Sequence, residues 1–244
     1  MSRIPNLSLT AFVDRLSQRI PLSLEERQAV VDLPQVFKSL RRHEYIIRES
    51  EKATHSCVLL SGFAIRHKVA GNGARQIFSI HMRGDAIDLH NALLDTADHN
   101  LQMLSDGEIV FIPVEAIRSL IRSYPNVGMA MWMETLVDAA IFREWTLNVG
   151  RRDARSRMAH MLCEFALRLE VAGLSTQTDY ELPMTQEELG DALALTPIHI
   201  SRTLKDLAEK GLVKREIRAV KILDWRGLAT LGDFDRSYLH LAPV

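Results

Sequence analysis

The stretch from Thr185 to Val213 constrains the fold of this chain most strongly, because it specifies two short helices joined by a tight turn. Thr185 is a preferred N-cap residue, and Glu188, three residues later, completes the pattern of a capping box. Thr196 is placed to cap the second helix, and Pro197 occupies its first position, where no N–H is needed. This pattern is typical of a helix-turn-helix, whose second helix lies in the major groove of DNA.

Basic and polar residues of this region are the candidate DNA contacts. The whole chain has a formal net charge of −1, so affinity for DNA must come from a local patch. Between Arg202 and Lys221, seven basic and three acidic side chains give a local excess of four positive charges. Arg202, near the start of the second helix, can donate two hydrogen bonds to guanine and is the predicted base reader. A plain cap or a solvated helix face also explains each of the other predicted contacts, which are Thr185, Gln186, Thr196, His199, Ser201, Lys205 and Arg218.

Two strand-like segments follow the helix-turn-helix and predict a winged helix. They run from Leu212 to Arg215 and from Val220 to Leu223. Upstream, Gly150 is expected to end a long helix, and Asp153 is placed to cap the next one. The joint between Gly150 and Asp153 is therefore the predicted hinge.

Residues 37–113 have a different pattern, in which short apolar stretches recur between glycine-containing turns. Such regular spacing without long helices predicts an antiparallel jelly roll or barrel. The segment AGNGARQ is typical of a hairpin loop. Short amphipathic helices are predicted before it, from Leu9 to Ile20 and after a cap at Ser23. The predicted strands are Glu44–Ile47, Cys57–Leu60, Phe63–Val69, Gln76–His81 and Glu108–Ile112.

The segment from Pro125 to Val149 predicts a single helix of about 37 Å. Its apolar residues cover more than one face, which favours partners on two sides: its own barrel and a second copy of the same helix. We therefore expect a homodimer; the alternative is one buried core helix within a monomer. The predicted dimer contacts are Met129, Trp132, Leu136, Ala139, Ala140 and Arg143.

Cysteine content and hydropathy exclude several classes of protein. Cys57 and Cys163 are the only cysteines; they lack zinc or iron–sulfur spacing and suit a reducing compartment. No apolar run reaches about 18 residues, and the N-terminus lacks the features of a signal peptide. We expect a cytoplasmic protein with no membrane partner. Hydrolase and phosphate-loop motifs are also missing from the sequence, so no enzyme and no catalytic residue is predicted.

Over roughly Arg42 to Asp224, the order of these parts resembles the Crp/Fnr family of bacterial transcription regulators. The segments SCVLLSGFAIRHKV, GNGARQIFSIH and MRGDAIDLHNALL carry the resemblance, together with the long helix, Asp153, Arg157 and the winged helix. The resemblance implies a homodimer that places two recognition helices in successive major grooves of a palindromic double-stranded DNA site, about 34 Å apart. It also implies contact with RNA polymerase.

Several ligand-binding residues of the family are replaced in this chain. Cyclic-nucleotide binders carry Gly-Glu after the Gly-Asp turn, and an Arg-Ser pair farther on. Here Asp88 and Leu89 stand at the first place, and the second reads ADHNLQML. No arginine lies between Arg83 and Arg118, and the acidic residues of this loop repel phosphate, so cyclic AMP is not expected. The cysteine cluster of iron–sulfur members is absent before Cys57, so that cofactor is not expected either.

Two effector alternatives stay open. Some family members hold haem against the long helix, and haem or another small effector is compatible with its Met- and Trp-rich sequence. Methionines at helical spacing are more often core or dimer seam. A divalent metal could bind the stretch DLHNALLDTADH, although a solvated helix and loop explain it equally, and no metal or resident cofactor is predicted. Its candidate ligands are Asp88, His90, Asp95, Asp98 and His99.

The sequence thus predicts an α+β protein: an N-terminal antiparallel β jelly roll or barrel at 1–124, a long dimerisation helix at 125–150, and a winged helix-turn-helix domain at 151–244. The predicted function is sequence-specific transcription regulation with a sensory barrel. The alternative is a dimeric ligand-binding or interaction module without specific DNA binding. In the recognition helix, Ser201 and Arg202 match the oxygen-sensing branch of the family, whereas Ile198 replaces a base-reading glutamate. The preferred half-site should therefore differ.

Overall fold

The computed structural model describes residues 9–216 and 218–241. The chain divides into two compact units: one runs to Arg66 and from Ile80 to Ala139, and the other comprises 67–79 and Ala140 to Leu241. The ends of the predicted domains, 1–8 and 242–244, and position 217 in the predicted wing turn lie outside the described residues.

Two four-stranded antiparallel sheets form the N-terminal half, which confirms the predicted β architecture. Their strand orders are β1-β8-β3-β6 and β2-β7-β4-β5. In the first sheet, β3 pairs with β8 so that Cys57 lies opposite Phe111. The strands are β1 (Val36–Leu40), β2 (Tyr45–Ile47), β3 (His55–Leu59), β4 (Ala64–Val69), β5 (Arg75–His81), β6 (Ala86–Ile87), β7 (Asn100–Met103) and β8 (Gly107–Pro113).

Two N-terminal helices, α1 (Thr10–Arg19) and α2 (Leu24–Val31), precede the sheets. Ser23 caps α2 in a full capping box with Glu26, as its sequence predicts. Phe12 and Leu16 of α1 belong to a buried apolar cluster that also contains residues of β8, α3 (Val114–Ser123) and α4 (Pro125–Arg151). Burial of this apolar face holds α1 on the N-terminal unit.

The 27-residue helix α4 confirms the predicted long helix. Gly150 lies inside this helix rather than at its end, because α4 continues to Arg151 and the chain turns only at Arg152 and Asp153. The side chain of Asp153 accepts hydrogen bonds from the backbone N–H groups of Arg155 and Ser156, at 3.0 and 2.9 Å. These bonds start a new helix. Among the described residues, no helix has the length and apolar character needed to cross a membrane.

The C-terminal residues form a helix-turn-helix with a small three-stranded sheet of order β10-β11-β9. The strand β9 (Asp179–Glu181) is not among the strands predicted from the sequence; its pairing with β11 (Ala219–Ile222) places Tyr180 opposite Val220. A further helix and a 3₁₀ turn (Arg236–Leu239) follow the wing, where the sequence gives no clear pattern. The elements are α5 (Ala154–Val171), β9 (Asp179–Glu181), α6 (Gln186–Leu193), α7 (Pro197–Glu209), β10 (Val213–Arg215), β11 (Ala219–Ile222) and α8 (Trp225–Leu231).

Candidate nucleic-acid interface and effector pocket

The two helices of the helix-turn-helix begin at the predicted caps. Thr185 Oγ1 accepts the N–H of Glu188 at 3.1 Å, and the Glu188 carboxylate accepts the N–H of Thr185 at 2.7 Å. Thr196 Oγ1 accepts the N–H of His199 at 3.3 Å. A Cβ atom at Gly190 of α6 would lie 2.5 Å from the carbonyl oxygen of Leu195 in the turn that follows, so only glycine fits this close approach. These local contacts fix how α6 and α7 cross.

The first turn of α7 presents an exposed polar surface. Its inner face buries Ile200, Leu204 and Leu207, which leaves the predicted base reader Arg202 on the outer face. Within residues 9–216 and 218–241, Arg202 makes no ion pair, so its guanidinium is available to a ligand. All eight predicted DNA contacts are exposed: Thr185, Gln186, Thr196, His199, Ser201, Arg202, Lys205 and Arg218.

Internal ion pairs reduce the number of cations that remain for a polyanion. The pairs are Lys205 with Glu209 (3.6 Å), Lys210 with Asp206 (3.2 Å) and Lys214 with Glu216 (3.1 Å). Arg215 is half-buried and donates to the carbonyl oxygen of Met184 at 3.3 Å; burial lowers its pKa. Among the described residues, Arg202, Arg218 and Lys221 form no ion pair. The free positive charge therefore lies at the start of α7 and on the wing.

The β4–β5 hairpin contacts α6 within the C-terminal unit, which the sequence pattern does not reveal. Arg75 Nε donates to Asp191 Oδ2 at 2.7 Å, and Gln76 Nε2 donates to the carbonyl oxygen of Ala192 at 3.2 Å. Arg157 of α5 donates to the carbonyl oxygen of Leu193 at 3.0 Å. Three contacts therefore hold the last turn of α6, on which the placement of α7 depends.

The predicted dimer contacts occupy different positions around α4. Met129, Trp132 and Leu136 are exposed apolar side chains spaced three or four residues apart. Ala140 is buried within its own chain, and Ala139 is half-buried. Arg143 is exposed. The outer face of α4 is therefore apolar over several turns, although one predicted contact points inward.

Buried charged residues form a second site inside the N-terminal unit. Arg66 Nε donates to Asp88 Oδ1 at 2.9 Å, and its Nη1 donates to Asp138 of α4. His99 Nε2 lies 3.1 Å from Asp88 Oδ1, and its Nδ1 lies 2.6 Å from Asp98 Oδ1. The side chains of Arg66, Asp88 and His99 are less than one tenth exposed. We call Arg66, Asp88, Asp98, His99 and Asp138, together with His90, the effector pocket cluster.

The predicted metal candidates separate in the structure. Ligand atoms of Asp88, His90 and His99 all lie within 4.8 Å of one another. Asp98 hydrogen-bonds to His99, whereas Asp95 is exposed and faces Arg118 at 3.7 Å. The sequence spacing alone could not distinguish these residues, because the grouping depends on the turn at Asp88 and on the start of β7.

Electrostatics keep Asp88 ionised. Its burial favours the neutral acid, but the Arg66 guanidinium and His99 outweigh this effect and lower the pKa of Asp88 below its ordinary value. Burial likewise disfavours the charged form of both histidines. It lowers the pKa of His90, whereas hydrogen bonds to Asp88 and Asp98 raise that of His99 in spite of burial.

Ion pairs also tie α1 to α4, and sequence reasoning missed them. Arg15 Nε and Arg19 Nε both donate to the buried carboxylate of Glu134, the former at 2.6 Å. A second nitrogen of Arg15 donates to Asp85 at 2.6 Å. No local sequence pattern predicts these ion pairs, since Arg15 and Glu134 are 119 positions apart.

Comparison with known proteins gives two matching family models. A cyclic nucleotide-binding domain matches residues 37–124, and a Crp-like helix-turn-helix domain matches residues 156–231. The nitrogen fixation regulation protein FixK of Azorhizobium caulinodans is 26% identical over 185 residues, which are 76% of this chain and 73% of that protein. The transcriptional activator protein FnrA of Stutzerimonas stutzeri is 24% identical over 215 residues, which are 87% and 88% of the two chains.

The solved structure of FixK2 from Bradyrhizobium japonicum has the same fold. It superposes with a TM-score of 0.75 at 24% identity, and the match covers 82% of this chain and 98% of that chain. The similarity therefore extends over both the β-sheet region and the helix-turn-helix.

Proposed function

This chain belongs to the Crp/Fnr family of transcription regulators, and we propose that it binds a palindromic promoter site as a homodimer. It combines a helix-turn-helix DNA-binding domain with a cyclic-nucleotide-binding-like sensory domain, and it is a regulator rather than an enzyme. In this proposal Arg202 reads a base, and Ser201 and His199 lie beside it at the same end of α7. RNA polymerase is the proposed partner at the promoter, and the cytoplasm is the proposed location.

The observation that carries the proposal is the exposed guanidinium of Arg202 near the start of α7, which forms no ion pair with any residue that the structure describes. Phosphate contacts supply most of the affinity for DNA, and Arg218, Lys221 and the N-termini of α6 and α7 are suited to them. Ile198 is exposed in the same turn, where it can contact a thymine methyl but cannot accept a hydrogen bond from cytosine. This chemistry supports a half-site that differs from one read by glutamate.

The apolar outer face of α4 supports the homodimer. Exposed apolar side chains at 129, 132 and 136 share a helix face with Leu147, which gives a stripe suited to a second copy of the same helix. A symmetric pair would present two copies of α7, as a palindromic site requires.

The sensory domain is proposed to take a small effector other than cyclic AMP. Its buried guanidinium, Arg66, already pairs with the carboxylates of Asp88 and Asp138. A cyclic phosphate entering this pocket would meet net negative charge. The haem alternative has no further support from the described side chains.

The test is to select binding sites from random double-stranded DNA with the purified full-length protein, and then to measure affinity by fluorescence anisotropy at fixed salt. We expect Arg202→Ala to weaken binding to the selected site by about 5- to 150-fold, which corresponds to about 1–3 kcal/mol. Arg122→Ala, at an exposed position of α3, removes the same charge and serves as the control. Failure to select any site, or equal losses in both variants, supports the interaction module without specific DNA binding.

A further inference from the structure

The effector pocket cluster, which lies outside the helix-turn-helix, contains a group of potential metal ligands. Two histidine nitrogens and one carboxylate come together there: His90, His99 and Asp88, with ligand atoms within 4.8 Å of one another. All three belong to the N-terminal unit. Two imidazoles and one carboxylate form the donor set that non-haem iron(II) sites use, and imidazole also suits zinc, copper and nickel.

We propose that Asp88, His90 and His99 bind one first-row divalent transition-metal ion. This site lies in the sensory domain, and metal binding there can be measured without DNA, so the proposal does not depend on the proposed DNA binding.

The spacing of the ligand atoms suits a metal ion. Two ligands that each lie about 2.1 Å from a metal, at angles of about 90–110°, are about 3.0–3.4 Å apart. His99 Nε2 lies 3.3 Å from Asp88 Oδ2. The other oxygen, Oδ1, accepts the hydrogen bond from Arg66, which leaves Oδ2 for the metal. His90 Nε2 lies 3.9 Å from Oδ1, and the ligand atoms of all three residues lie within 4.8 Å of one another.

Asp88 is held in an unusual backbone conformation that aims its carboxylate into the cluster. Its φ of 60° and ψ of 42° lie in the left-handed region, which residues other than glycine adopt uncommonly. Asp88 is 1% exposed, and its carbonyl oxygen accepts the N–H of Asn91 at 2.9 Å. A backbone strained and fixed in this way presents the carboxylate before any ligand arrives.

The second nitrogen of His99 has the partner that metal-bound histidines normally have. Its Nδ1 lies 2.6 Å from Asp98 Oδ1, so the proton on Nδ1 is donated to a carboxylate, and a metal ion would replace the hydrogen bond between Nε2 and Asp88. A carboxylate in this position fixes the ring orientation and makes the ligating nitrogen more basic. Asp98 is therefore a positioning residue for His99.

The three ligands differ in their exposure to solvent. The side chains of Asp88 and His99 are 2% and 6% exposed, so two of the ligands are largely shielded from water. The side chain of His90 is 31% exposed, so the ion has an entry path and retains room for water or an external ligand.

The experiment titrates the full-length protein, previously dialysed against EDTA, with Co(II) and with Zn(II) in the absence of DNA. We expect one ion per chain, a visible Co(II) absorption band typical of mixed nitrogen and oxygen ligands, and saturable heat for Zn(II). His90→Ala and His99→Gln should each weaken binding at least tenfold. His55→Ala removes an exposed imidazole of the same unit and should leave binding unchanged.

Two further measurements separate metal binding from folding and from DNA binding. Asp98→Asn should weaken binding about 10- to 100-fold with the Co(II) band retained, as expected of an outer-shell carboxylate. Circular dichroism shows whether each variant is folded. Because His90 is partly exposed, His90→Ala decides the outcome if the buried substitution His99→Gln fails to fold. The proposed metal site is refuted if the wild-type protein shows no saturable metal binding. It is also refuted if wild type, His90→Ala and His99→Gln bind the metal equally. Loss of wild-type DNA binding with metal binding intact overturns only the proposed function.

Discussion

Truncation of Leu136 tests whether the outer face of α4 joins two copies of the chain. Leu136 is 53% exposed in the isolated chain, and complete burial of a leucine side chain contributes about 2 kcal/mol. About half of that remains to be gained in a dimer, so each copy contributes about 1 kcal/mol and a symmetric pair about 2 kcal/mol. Leu136→Ala should therefore raise the dimer dissociation constant by about 30-fold at most.

Analytical ultracentrifugation over a range of protein concentrations measures that constant. Leu136→Glu should have a larger effect than Leu136→Ala, because two carboxylates then meet near the two-fold axis. Leu24→Ala is the matched control, since Leu24 is 87% exposed and lies on α2. A dissociation constant that is the same in wild type and Leu136→Ala refutes the reasoning, as does a wild-type protein that stays monomeric at high concentration.

Three other predictions concern stability and reactivity. Glu134→Gln should lower the free energy of unfolding in urea by about 3 kcal/mol, because two α1 arginines lose a buried partner; the exposed substitution Glu115→Gln should have no comparable effect. Thr185→Ala should lower the free energy of unfolding by about 1 kcal/mol through loss of the helix cap, and calorimetry should show that Thr185→Ser retains most of this stability. Burial raises the pKa of Cys163 to about 12, so at pH 8 about one thiol in ten thousand is ionised. Iodoacetamide should label Cys163 only after unfolding, and rapid labelling of the native protein would contradict its assignment to the core.

Features that depend on neighbouring residues were predictable from the sequence. The caps at Ser23, Thr185 and Thr196 need only a hydroxyl and a backbone N–H three residues away, and all three form as predicted. The length of α4 was predictable for the same reason, because no proline interrupts it after Pro125. The predicted end of α4 at Gly150 was wrong, because glycine is tolerated within the helix, which continues to Arg151. The cap at Asp153 decides where the next helix begins.

Features that depend on distant residues were not predictable. The strand β9 has three residues and no alternation of its own, and it exists only because β11 pairs with it. The effector pocket cluster is a stronger example. Arg66 and Asp138 are 72 positions apart, and no spacing rule connects them. From the sequence alone, a phosphate has no arginine partner in the loop between Arg83 and Arg118; the structure adds Arg66 from β4, but Asp88 and Asp138 already pair with it.

Arg66 also connects the pocket to the helix that carries the proposed dimer face. One end of its guanidinium binds Asp88, a proposed metal ligand, and the other binds Asp138 of α4, two residues from Leu136. A cation bound at Asp88 repels this guanidinium and weakens its hold on the shared carboxylate, and the buried setting strengthens the effect. A change of charge at Asp88 therefore reaches α4 through the contacts of Arg66 with Asp88 and Asp138, without requiring a long chain of intermediate contacts.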